Sequence, residues 1–347
     1  MVKKIYLTID TECHDIERPD RYIWGRTPDG KYFGLKKILD VAKDLDIRLN
    51  FFVDIAECKR YGVEFVKGIT DMIADYGQSV YIHLHPNYIS GDDERSFMWQ
   101  YTLEEQKAIF KEAMGYYEQL YPGKNCKSFR IGRYGAEPAM YDALEEIMGS
   151  NIIDFSYCAY SPKMCHLDMN VTGVHNSITK YKNTYLFPNT RYVCLRLSGV
   201  TKYLNLDTAE STLGEFMMIL DQNRMPFVTL TMHSWNFIKK WIFIQERVWG
   251  DEANIKKFYK MINYAKNHGY EFGDIEEDYS LLCNTKYEDQ TFDLCATPWG
   301  KARALWYNFL RFHNTARLTK KYLIFYSVLY SCVALIILIV VLMIAFI

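Results

Sequence analysis

The 347-residue chain sets 41 Lys and Arg against 42 Asp and Glu, a formal net charge of −1 that argues against a general nucleic-acid binder. Hydrophobic residues at 49% and charged residues at 24% are those of a folded globular chain and argue against disorder. Nine cysteines, odd in number and without a CxxC pair, fit neither a disulfide framework nor a zinc finger and point to a reducing compartment.

In chain order, strand-like apolar runs alternate with helical segments. "KKIYLTID" (3–10) predicts the first strand, entered so early that no signal peptide is expected, and a helix follows around 34–45. "RLNFFVDI" (48–55) precedes a helix over 60–76. "SVYIHLH" (79–85) precedes a polar loop and the helix over 102–121, which Thr102 and Glu105 open as a capping box. "KSFRIG" (127–132) leads to a helix over 137–148 and then "IIDFSYCA" (152–159). Residues 160–205 read as irregular with short strands. A helix over 208–222 precedes "PFVTLTMHSW" (226–235), and a helix over 252–268 precedes "YEFGDI" (270–275). Alternation at this spacing predicts a parallel sheet, with seven strands closing or nearly closing a barrel. In such barrels the chemistry sits at the C-terminal strand ends.

The last 26 residues, Tyr322 to Ile347, carry no charge. As a helix they would span roughly 39 Å, so a transmembrane helix is expected over 322–347. Upstream, Lys301, Arg303, Arg311, Arg317, Lys320 and Lys321 meet no acidic residue between 301 and 321, and Trp306, Tyr307, Phe309 and Phe312 are interleaved with them. This basic, aromatic segment (299–321) reads either as a juxtamembrane helix at the interface or as an amphipathic helix docked on the domain. The positive-inside rule then predicts a single-pass, tail-anchored protein whose domain (1–298) faces the cytoplasm.

Polar residues end nearly every predicted strand. Asp10, Thr11 and Glu12 end the first, His83 and His85 the third, and Arg130, Arg133 and Tyr134 follow the fourth. Asp154 sits on the fifth, with His233 and Trp235 at the end of the 226–235 run. Residues i and i+2 of a strand share a face, so His83 and His85 aim both imidazoles to one side. One carboxylate with two imidazoles is a three-ligand set for zinc or a similar first-row ion, leaving positions open for water and substrate. A second carboxylate as base and a further histidine as acid complete an inventory for metal-assisted hydrolysis of an amide or ester.

The strand-end motifs resemble those of the polysaccharide deacetylases, the NodB-homology or family 4 carbohydrate esterase group. "LTIDTE", "HLHP", "SFRIGRYG", "DFSY" and "LTMHSW" follow the family order over roughly residues 3–275, with "FFVD" on the second strand. The resemblance implies a distorted (β/α)7 barrel of the NodB type and a divalent metal, zinc first, with cobalt or nickel as alternatives. It implies Asp10 as catalytic base, Arg130 as its partner, His233 as general acid and Asp154 as the acidic residue that tunes it. His83 and His85 match the metal histidines. Tyr134 matches the position whose backbone N–H supports the oxyanion, with Arg133 beside it toward the substrate. Apart from the resemblance, Trp235 and Trp241 in the aromatic run 233–249 either line a substrate groove by stacking on sugar rings or pack the barrel against the membrane-proximal helix. Where the common motif has adjacent aspartates, Thr11 stands in the second place, and Glu12 is the natural ligand because it shares a face with Asp10. His14 is a spare candidate. The common motif also separates its histidines by four residues on a turn, whereas here they are two apart.

The function so implied is removal of an N-acetyl group from an amino sugar of a membrane-associated or lipid-linked saccharide. The rival readings are a deformylase or O-deacetylase, or a metal-free, membrane-tethered saccharide-binding module.

Overall fold

The structure is a computed structural model that describes residues 2–13, 19–156, 165–167, 176–241, 244–316 and 328–331. Its strands are β1 (Lys3–Thr11), β2 (Asn50–Asp54), β3 (Ser79–Leu84), β4 (Ser128–Ile131), β5 (Ile153–Asp154), β6 (Thr179–Tyr181) and β7 (Thr184–Leu186). Then come β8 (Arg191–Leu197), β9 (Val200–Asn205), β10 (Phe227–His233), β11 (Ile238–Trp241), β12 (Ile244–Gly250), β13 (Tyr270–Phe272) and β14 (Phe292–Asp293). The main sheet runs β10-β1-β2-β3-β4-β5-β7-β6, with β13 also beside β1, and every neighbouring pair is parallel except β6 and β7.

Helices Leu35–Asp44, Val63–Asp75, Leu103–Leu120, Pro138–Met148, Leu213–Gln222 and Glu252–Asn267 lie within a few residues of those expected. The Thr102–Glu105 capping box forms: the Thr102 N–H donates to Glu105 Oε2 at 2.8 Å, and the Glu105 N–H donates to Thr102 Oγ1 at 3.4 Å. Thr212 and Glu215 repeat it at the next-but-one helix, a signal the sequence reading passed over.

The fold is α/β, and the sheet is a curled, open barrel rather than a closed one. Among the described residues β7 and β10 do not pair, and the gap is filled by loops laid against β10. The Thr229 N–H donates to Thr190 Oγ1 at 2.7 Å, and the Thr231 N–H donates to the Leu206 carbonyl at 2.9 Å. The period-2 alternation of each strand fills the interior in layers. Tyr6, Phe52, Tyr81, Phe155, Phe187 and Phe227 form an aromatic layer at the lower end. Two to six residues further along the same strands the inward positions turn polar, with Thr8 and Asp10, His83 and His233 above that layer.

Of the two readings of the basic, aromatic segment, the docked helix is the one found. Over Pro298–Ala316 it lies against β8 and the 210–215 turn, with Asn308 Nδ2 donating to the Cys194 carbonyl at 2.7 Å. Arg311 pairs with the fully buried Glu215 and donates from Nε to the Glu210 carbonyl at 2.9 Å. Trp299, Trp306 and Phe309 stay on its exposed side.

The membrane expectation is corrected. Among the described residues no helix is long and apolar enough to cross a membrane, and 322–347 lies outside them except for 328–331. The tail-anchored, cytosol-facing placement therefore does not stand, and a lipid-linked substrate loses its basis with it. That placement rested on the length of the apolar run 322–347 and the basic flank before it, and the flank is taken up by a helix docked on the domain.

Because Glu215 would stay buried without its ion-pair partner, keeping only the Thr212 cap, Arg311→Ala should lower stability by about 3 kcal/mol. Urea unfolding of the full chain, wild type against variant, measures this.

Candidate active site and metal centre

Parallel pairing brings the ends of β1, β3 and β10 to one rim of the barrel, with Asp10 opposite His233 and His83 opposite Arg130 in register. They open into a cavity of about 530 Å³.

Glu12 follows β1 and reaches back over its end. Its Oε2 lies 3.0 Å from His83 Nε2 and also meets His85 Nε2. The three ligand atoms fall within 4.8 Å of one another. Strand alternation explains the set: Asp10 and Glu12 share one face, while Thr11 between them points into the packed side, fully buried.

His83 Nδ1 lies 3.0 Å from the Arg130 carbonyl, which only accepts, so Nδ1 carries the hydrogen. Its Nε2 then presents a lone pair to a carboxylate, an arrangement that needs positive charge between them, from a proton or a metal. A ligating histidine whose other nitrogen donates to a carbonyl is the usual orientation at metal sites. Burial pulls the His83 imidazole down, but Asp10 and Glu12 outweigh it and push it up to about 9. Burial alone would raise the Glu12 carboxyl, and the two imidazoles hold it well below the usual carboxylate range. The donor set and its open side fit zinc or a similar divalent ion.

The ligands are held from outside. His85 stacks on Tyr88 with ring centroids 5.5 Å apart and planes at 28°. Gly132 lies against its other side, where a Cβ would come within 2.6 Å of the imidazole ring. Any side chain at 132 would push His85 out of place.

Arg130 is completely buried and ties the interior together. Its Nη1 donates to Asp10, Nη2 to Thr8 Oγ1 at 2.9 Å and Nε to the Phe155 carbonyl at 3.2 Å. Its guanidinium stacks over Phe52, 4.4 Å from the ring centroid. His233, half-buried at the end of β10 beside Asp10, lines the same cavity and stacks on Trp235 at 4.6 Å, and Trp235 meets the edge of Tyr22. Arg133 and Tyr134 line the same cavity with φ of 57° and 54°, two consecutive left-handed residues that turn the chain sharply after β4.

Asp154 is the expected site residue that the structure does not bring in. It lies fully buried away from the cavity, accepting from the Tyr141 hydroxyl at 2.6 Å and the Ser156 N–H at 2.8 Å. Burial pushes it up to about 6, against those hydrogen bonds. Asp207 lines the cavity instead. Its Oδ1 accepts from the N–H groups of Ala209 and Glu210 at 2.6 and 3.0 Å, and its Oδ2 lies 3.1 Å from the hydroxyl of Thr231, two residues before His233. A carboxylate at a strand-to-helix junction was the available signal, hidden in a segment read as irregular. Asp54 and Glu57 were also missed. Both are buried beside the metal ligands, and burial raises both carboxyls. His14 lies outside the described residues.

No family model matches the chain, and no curated protein matches it in sequence. Solved structures do match in fold. A Mycobacterium smegmatis protein assigned as a polysaccharide deacetylase is 12% identical with a TM-score of 0.50, over 83% of this chain and 95% of that one. A family 4 carbohydrate esterase from Streptomyces lividans, in complex with acetate, is 8% identical with a TM-score of 0.43, over 79% and 93%. A pseudoenzyme of that family from Bacillus anthracis is 14% identical with a TM-score of 0.44, over 84% and 69%. The fold is thus similar to that of the polysaccharide deacetylases, as the motifs implied.

Gly132→Ala should leave the chain folded but weaken cobalt or zinc binding at least about tenfold, the scale of losing an orienting neighbour, as read by titration. Asp154 gives a pH signature. Its folded pKa lies above the ordinary value, so the unfolded state ionises first and wild-type stability falls as pH rises from about 4 to about 6. The loss is about 3 kcal/mol at 1.36 kcal/mol per unit. Asp154→Asn should remove that fall, seen as the difference between two urea-unfolding series across this window.

Proposed function

We propose that the protein is a metal-dependent hydrolase that removes an N-acetyl group from an amino sugar. The observation that carries this reading is the Glu12–His83–His85 cluster facing Asp10 and His233 across one cavity. The deacetylase-like fold agrees with it. A divalent ion held by Glu12, His83 and His85, zinc first and cobalt or nickel as alternatives, would supply Lewis acidity toward water and the amide carbonyl.

The protein groups do the rest. Asp10, fixed by Arg130, takes the proton of the attacking water. The backbone N–H of Tyr134 faces the developing oxyanion. His233 delivers a proton to the nitrogen as the C–N bond breaks, leaving a free amine and acetate. Asp207, rather than Asp154, is the carboxylate placed to orient the acid, since it shares the cavity with His233. Trp235 offers an aromatic face to a sugar ring, and Arg133 a cation to its hydroxyls. The substrate is a carbohydrate.

The test is acetate release from N-acetylated chitooligosaccharides, with formamido and O-acetyl sugars alongside. Release from the amide substrate, abolished by a chelator and restored by zinc or cobalt, supports the reading. Release from O-acetyl esters alone, or none with metal supplied, overturns it. Asp10→Asn and His233→Ala should each lower kcat about 10²–10⁴-fold, the usual worth of a general base or acid, with metal content unchanged.

A further inference from the structure

The turn after β2, "DIAE" from Asp54 to Glu57, carries two buried carboxylates with no place in the chemistry above. Asp54 is fully buried, and its register partner on β3 is His83. Its Oδ1 accepts from the Ala56 N–H at 3.0 Å and from the His85 N–H at 3.3 Å. Glu57 is 1% exposed and accepts from the N–H of Cys13, the peptide that leaves Glu12. The Tyr88 hydroxyl donates to the carbonyl of that same Cys13 at 3.3 Å, while its ring stacks on His85.

One short turn thus grips both chain segments that carry metal ligands. Asn or Gln would serve these N–H groups as acceptors without the cost of burying a charge. Among the described residues neither carboxylate makes an ion pair, and Asp54 Oδ2 has no hydrogen-bond donor. Coulomb attraction to a divalent ion between Glu12, His83 and His85 is the interaction that would offset that cost.

Resting on the metal reading above, we infer that Asp54 and Glu57 are positioning residues for the metal centre, Asp54 fixing His85 and Glu57 fixing Glu12, with Tyr88 closing the grip on Cys13. The side chains hold the ligands' backbones and touch neither water nor substrate. Loss of one grip frees a ligand to rotate away, so the effect falls on metal affinity and coordination geometry.

The test measures zinc dissociation constants by chelator competition, and the visible spectrum of the cobalt form, for the full chain and its variants. Asp54→Ala and Glu57→Ala should each weaken zinc about 10–100-fold and alter the cobalt bands. Asp54→Asn and Glu57→Gln, which keep the acceptor but not the charge, should restore the wild-type cobalt spectrum and bind zinc more tightly than the alanine variants, falling short of wild type by the Coulomb attraction they lack. A purely structural role would lower metal-free thermal stability in the alanine variants yet leave affinity and spectrum unmoved, which overturns the inference. Should the alanine variants not fold, Tyr88→Phe decides: zinc weakened threefold or more supports the grip, and unchanged zinc overturns it. A wild-type chain that binds neither metal sinks the hydrolase reading itself, whereas normal wild-type binding with unaffected variants sinks only the positioning role.

Discussion

The buried guanidinium of Arg130 is the interaction on which the interior depends. A charge with no exposure to water is tolerable only when fully bonded, and here it is satisfied by Asp10, Thr8 and the Phe155 carbonyl, with Phe52 beneath its plane. These partners lie on β1 and β2 and just past β5, so one residue of β4 fixes several walls of the barrel. The same residue's carbonyl sets which nitrogen of His83 carries the hydrogen. Asp10 and His83 are therefore oriented by a single residue.

Layering follows from strand periodicity. Inward residues low on the strands are aromatic and exclude water, while those at the C-terminal ends are polar and meet at an open cavity. Carboxyl groups gather at and behind that rim: Asp10 is matched by Arg130, Glu12 meets the two imidazoles, and Asp54 and Glu57, buried behind the cavity, accept from backbone N–H groups. Burial raises the Asp54 and Glu57 carboxyls, and a cation held between Glu12, His83 and His85 would favour their ionised forms.

The grouping of these side chains at one rim was largely legible because they stand at strand ends, where period-2 spacing alone tells which side chains share a face. Glu12 in place of Thr11, and His83 with His85, followed from that rule. Asp154 misled because a motif position was read without its neighbours. Its strand is only two residues long, and its carboxyl turns toward Tyr141 and Ser156. Asp207 was passed over because the loops that bring it to β10 pair with a strand distant in sequence.

The sequence by itself determined the α/β alternation, the approximate helix limits and which strand-end carboxylate and imidazoles share a face, because each is written in local periodicity and residue chemistry. Only the tertiary structure decided that the barrel stays open between β7 and β10 among the described residues, that the basic aromatic helix docks through Arg311, and that Asp54 and Glu57 accept from the backbones of His85 and Cys13. Those depend on contacts between segments 30 or more residues apart, such as Glu57 with Cys13 at a separation of 44 and Arg311 with Glu215 at 96. No local pattern encodes which distant backbone a buried carboxylate will meet.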